Sequence, residues 1–252
     1  MPFKGFEPRA RMRFARNPLR TVIAQVRFPH LYALEEPASV GEFQKLVSPQ
    51  YPMAIPRDEG VPRLDVPGLN FAAVGPYRFR DASGAWLVAL TPDAISLETT
   101  EYSRFEEFSE RFSFAIDSLV SSHEVQYYER IGIRYVNEML PPDNGTCLEY
   151  VVPSLVGVVG EETIIPRLRQ SLQELLLELN DDRMNIRHGV VPSEGGLMYV
   201  LDIDAFVQAR GAFRQDVIFP TLQSLKDSVW SFFRGSVTDA LIRDFGGEEV
   251  AK

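Results

Sequence analysis

Residues 127–140, YYERIGIRYVNEML, decide the fold. Ile131, Ile133 and Tyr135 fall on one side and Arg130, Arg134 and Glu138 on the other. That is the two-residue period of a strand with one side in a core and the other carrying charge. Pro141-Pro142-Asp143-Asn144-Gly145 ends it, because two prolines interrupt both a ladder and a helix.

Upstream, residues 20–28 read as a strand with Val22, Ala24, Val26 and Phe28 on one side. Residues 39–47 read as a helix, with Ser39 and Glu42 spaced as a capping box. Pro49, Pro52 and Pro56 end it and open an irregular segment that reaches residue 73. A loop of that length is a functional flap or a surface linker. Its 49–68 portion reads equally as a partner-docking segment or a packed loop. A three-stranded meander follows at 77–80, 86–91 and 94–100. Ser103 and Glu106 then open a helix with Phe105, Phe108, Phe112, Ile116 and Leu119 in one stripe, the spacing of a core face.

Downstream, the type of 148–159 stays open. The leucines of 167–179 fit a helix, but the turn Asn180-Asp181-Asp182 before the strand-like 184–190 favours a strand for 174–179. Residues 184–190 and 197–204 form a second meander around 192–196. A long helix is expected over 213–233, kinked or restarted at Pro220, and a short one over 236–245. The expected class is therefore α+β. Two loosely repeated lobes, 20–145 and 146–252, each an antiparallel meander covered by an aromatic-rich helix, follow a basic arm, 1–19; one continuous sheet satisfies the same pattern.

The 252 residues carry a net charge of −9, which argues against general nucleic-acid binding. Within residues 1–20 six bases stand against Glu7, so this arm is +5, and subtracting that from −9 leaves −14 for the rest. The arm is the one place where nucleic acid is a candidate partner; an acidic membrane or the acidic body of the same chain are the others. No run of about 18 apolar residues occurs, no secretory h-region follows the arm, and Cys147 is the single cysteine. A cytoplasmic address with no membrane partner is the expectation.

Asn17-Pro18-Leu19, residues 86–91 (WLVALT), 95–99 (ISLET), 130–138 (RIGIRYVNE) and 201–204 (LDID) together resemble a sporadically distributed, uncharacterised bacterial family of about this length. The resemblance spans nearly the whole chain, and GIRYVNE is its most distinctive part. It implies a bacterial or archaeal intracellular protein with the patchy distribution of mobile or defence-linked genes, and it brings no catalytic residues to transfer.

Three constellations carry candidate chemistry. Arg130, Arg134 and Glu138 share a strand face at successive Cα spacings of about 13 Å. They serve as an anion or peptide-carboxylate site, or as cross-strand ion pairs with Glu98 or Asp202. Arg187 and His188 at a strand end are further ligand- or partner-binding candidates. Asp202 and Asp204 share a face and, with Glu138, present the carboxylates a divalent cation takes, although alternation with Leu201 and Ile203 gives the same pattern without a metal. His30 and His123 lie beside turns and read as solvated. The GxxxxGK[ST], GxGxxG and GxSxG patterns are missing, so no cofactor is expected. The first reading is a non-enzymatic accessory protein of a mobile or defence-linked system, self-associating and binding a protein partner. A sensor of a small, nucleotide-like anion and a metal-assisted hydrolase or nuclease using Asp202, Asp204 and Glu138 are the alternatives.

Overall fold

The computed structural model describes residues 9–56, 76–142, 145–179 and 181–250. In chain order its elements are β1 (Met12–Phe14), β2 (Leu19–Arg27), α1 (Pro37–Val47), β3 (Met53–Ile55), β4 (Tyr77–Arg80), β5 (Trp86–Thr91), β6 (Ala94–Thr99) and α2 (Phe105–Ser122). There follow β7 (Tyr127–Tyr128), β8 (Arg130–Met139), α3 (Pro153–Val156), β9 (Ser171–Leu179), β10 (Asp182–Ser193), β11 (Gly196–Val207), β12 (Gly211–Ala212), α4 (Gln215–Ser236), α5 (Asp239–Asp244) and β13 (Gly247–Glu249). The class is α+β, with a large antiparallel sheet of nine strands in the order β3-β4-β5-β6-β2-β8-β11-β10-β9. The chain divides into two compact units, each assembled from separated stretches rather than from the consecutive halves 20–145 and 146–252.

One unit comprises Ile23–Ile131 and Gln208–Thr221. Its meander β4-β5-β6 keeps the predicted pairing, with Phe79 opposite Val88 and Val88 opposite Leu97. α2 packs on β6 and on α1. The predicted stripe of Phe105, Phe108, Phe112, Ile116 and Leu119 is buried, and Trp86 and Phe108 meet with ring centroids 5.9 Å apart. The capping boxes are not used. α1 begins at Pro37, whose fixed φ and missing N–H suit the first helical position. Ser39 is thereby drawn inside the helix, where its Oγ meets His123 Nε2 at 2.9 Å. His123, read as solvated, is half-buried, and burial lowers its pKa. At α2 the Ser103 hydroxyl donates to Glu107 instead of capping. β3 is a strand that the proline-rich reading of 49–68 missed. Residues 57–75, the remainder of that segment, lie outside the described residues.

The other unit comprises Met1–Val22, Gly132–Val207 and Leu222–Lys252. β10 and β11 pair over their full lengths from Ser193 opposite Gly196 to Asp182 opposite Val207, and β9 pairs with β10 from Leu179 to Ser171. The buried side of these strands holds Ile133, Met184, Ile186, Leu201 and Ile203. The undecided stretch 148–159 is short 3₁₀ and α turns, as Pro153 and Gly157 allow. α4 runs through Pro220 as one element; a proline this near the helix start removes the donor for a single carbonyl, that of Asp216. The described part of the basic arm is held within this unit by a strand pairing, one ion pair and ring contacts. β1 pairs with β13, Arg11 pairs with Asp227 and lies over Trp230, and the Trp230 indole N–H reaches the carbonyls of Arg9 and Ala10. No helix among the described residues is long and apolar enough to cross a membrane.

Candidate functional site

β8 shows its two faces: Ile131, Ile133, Tyr135, Asn137 and Met139 are buried, and on the other face Arg130, Arg134 and Glu138 are half-exposed with Gly132 and Val136 buried between them. Arg134 does not stand open. Its Nε and Nη2 donate at 2.7 Å each to Oδ1 and Oδ2 of Asp202, with the side chains 15% and 4% exposed. This is the fork-on-fork geometry that the planar guanidinium favours, so an incoming anion has to displace a carboxylate already in place. The buried amide of Asn137 donates to the Leu201 carbonyl at 3.1 Å on the other face. Arg130 reaches Gln25 at 3.4 Å, and the Glu138 backbone N–H donates to Pro18 at 2.8 Å.

The register extends the Arg134–Asp202 pair across the strands. Arg187 stands opposite Asp202 and Glu174 opposite Arg187, so β8, β11, β10 and β9 carry a row of alternating sign. Arg187 Nε and Asn185 Nδ2 both donate to Glu174 Oε1 at 2.9 Å, and these hydrogen bonds, Asn185's first, lower the pKa of that carboxyl. Two rows along the same face, past Asn185 and Leu176, Arg183 lies 3.3 Å from Glu178. These two rows end on β9 in Glu174 and Glu178.

Arg187 and His188, read from the sequence as neighbours in one site, point to opposite faces of β10. His188 is 1% exposed, and its Nδ1 lies 2.7 Å from the Tyr199 hydroxyl, while no described residue partners Nε2. Burial lowers the His188 pKa and raises that of Tyr199, to which the nearby Cys147 adds. Burial also pushes the Cys147 thiol up to about 11, far from the thiolate a nucleophile needs. Cys147 lines a cavity of about 290 Å³ with Leu148, Ile165, Leu168, Val190 and Leu197. No arginine or lysine stands among its described lining residues. Asp202 is taken up by Arg134 and Asp204 lies two residues on along the same face; among the described residues no three His, Cys, Asp or Glu side chains gather as for a metal.

The remaining candidate is β9 itself. It is strand from Ser171, where the sequence reading favoured strand only from Glu174, and among the described residues it pairs only with β10. Leu175 shares the buried face with Ile186, to which it is paired, and is 37% exposed. Leu176, on the charged face, is 63% exposed. An edge strand of nine residues with leucines open on both faces, and with neither proline nor lysine, lacks the usual devices against strand addition. Its two glutamates are turned onto Arg187 and Arg183 of β10. The signal available in the sequence was compositional: SLQELLLEL has helix formers throughout and no β-branched residue, so local preference opposed the strand that the β10 pairing imposes.

Comparison of the chain with protein-family models and with curated proteins returned no match.

Proposed function

We propose that the chain is a non-catalytic interaction protein that takes an extended segment of a protein partner onto the outer edge of β9. The supporting observation is that edge: nine residues long, leucine-bearing on both faces, and joined to its neighbour only on the β10 side among the described residues. Strand addition supplies main-chain hydrogen bonds for affinity and alternate side-chain contacts for selectivity. The side chains from which chemistry was expected support the same reading, because they are engaged internally: Arg134 by Asp202, Arg187 by Glu174, His188 by Tyr199. The resemblance to a patchily distributed bacterial family adds the setting, an accessory role in a mobile or defence-linked system. A second copy of the chain is a competing occupant of the edge, and the mass in solution decides between them.

Leu175→Lys tests the reading. A lysine on the inward face of an edge strand blocks strand addition, while its stem still covers the apolar surface beneath. A protein captured by the wild type, purified and remixed with it, should slow amide exchange along β9 and should not bind Leu175→Lys at unchanged thermal midpoint. Equal binding to both forms overturns the reading.

A further inference from the structure

Resting on the strand-addition reading, we propose that the segment β9 accepts is cationic at its two ends and apolar between them, in the pattern basic-apolar-apolar-apolar-basic. The alternating row across β8, β11, β10 and β9 ends with Glu174; the row of Asn185 and Leu176 follows it, and the one after, with Arg183 on β10, ends with Glu178. Opposite charges directly across a ladder attract and like charges repel, so the strand that continues these rows carries Lys or Arg opposite both glutamates. Both carboxylates retain capacity for it. Arg187 and Asn185 donate to Glu174 Oε1, Arg183 lies 3.3 Å from Glu178 Oε1, and the two glutamate side chains are 55% and 72% exposed, so solvent reaches both. Between them, Leu176 on one face and Leu175 and Leu177 on the other are the contacts offered to the three middle residues. The pattern reads the same in both directions, so it holds for parallel and antiparallel addition alike.

A second copy fits this edge poorly. β9 contains no basic residue, and two chains of net charge −9 repel on approach. A basic, extended segment meets the opposite field, which raises its rate of encounter at low salt.

The test uses the full chain and two synthetic peptides, one centred on Lys-Val-Leu-Val-Lys and one on Glu-Val-Leu-Val-Glu, titrated while the β9 amide resonances are followed. The lysine peptide is expected to shift resonances along β9 and to bind at least about tenfold more tightly than the glutamate peptide, with the difference shrinking as salt rises. Glu174→Gln/Glu178→Gln should bring the two peptides to within about twofold, and Glu174→Lys/Glu178→Lys should invert the preference. Equal binding of the peptides to the wild type, or shifts away from β9, overturns the proposed pattern. A solution mass of twice 28.5 kDa with β9 amides already protected overturns it too, since the edge then belongs to a second copy. The dimer outcome overturns the partner reading as well, whereas after either peptide outcome the strand-addition reading keeps its own test, Leu175→Lys against the purified partner, so there the two fail separately.

Discussion

The nine-stranded sheet ends in two strands built on opposite rules. β3 is three residues long, and Pro52 and Pro56 flank it. Proline donates no N–H and a short strand offers few groups, so little main chain is presented for pairing. β9 is nine residues long, carries five leucines and no proline, and keeps a continuous register with β10. The first edge is closed by its own sequence. Among the described residues the second pairs only with β10, and its acids lie beside arginines of that strand rather than beside an added lysine. A fold that protects one edge and not the other points to the unprotected edge as the place where something binds.

The comparison is broken most severely from inside the charge row that supports β9. Arg134→Met leaves the Asp202 carboxylate buried without its cation, and stability to urea is expected to fall by about 3–5 kcal/mol. The double variant Arg134→Met/Asp202→Leu should recover most of that loss, because an apolar pair needs no desolvation to be balanced. Equal losses in the single and double variants would show that the pair is not coupled.

Gly189 comes next. It lies at φ +146°, and a Cβ placed there would stand 1.9 Å from the Ser171 carbonyl oxygen, inside the β9–β10 ladder. Gly189→Ala is expected to cost about 1–3 kcal/mol from the backbone conformation, with the clash in addition. The readout is exchange of the β9 amides, which should quicken while those of β4 keep wild-type protection. Uniform loss of protection would mean that the glycine serves the whole fold and not the long edge.

His188 lies on the face of β10 turned away from the charge row, and it ties the same edge to pH. Burial depresses its pKa from the ordinary value, and Nε2 has no partner among the described residues. Above the unfolded value of about 6.5 the imidazole is neutral in both states and its contribution is fully present. As pH falls below that value the unfolded chain binds the proton first, so stability declines until the folded value is passed. The urea midpoint should therefore drop between pH 7 and the mid-acid range in the wild type, with a smaller slope in His188→Phe. An unchanged slope in the variant assigns the effect to the carboxylates.

What the sequence disclosed of this arrangement follows the strength of each local signal. β8 and the α2 stripe were legible because a two-residue alternation or a 3.6-residue stripe persists through ten or more positions. The Arg134–Asp202 pairing was foreseeable as one of two candidate partners, since both residues sit on strand faces of known parity. The edge was not legible. Leucine, glutamate and glutamine in SLQELLLEL fit a helical stripe as well as a strand, and only the pairing with β10, set by tertiary contacts, excludes the helix. β3 was hidden by the prolines that flank it. The separation of Arg187 from His188 was contained in the strand read over 184–190, because adjacent residues of a strand point to opposite faces.

The smallest effect on stability separates the two edges most sharply. Met53 on β3 and Leu175 on β9 are both partly exposed, at 43% and 37%, and each becomes lysine by one substitution. Neither exchange removes a buried core contact, so each should lie within about 0.5 kcal/mol of the wild type in urea unfolding. Binding of the purified partner responds differently. Met53→Lys acts on an edge that proline has already closed and should leave affinity unchanged, whereas Leu175→Lys places an inward charge where the added strand would lie and should abolish it. If the two lysines weaken binding equally, the effect comes from the net charge of −9 becoming −8 and not from strand addition. If only Met53→Lys weakens it, the open edge is β3, and the asymmetry drawn from proline and leucine points the wrong way.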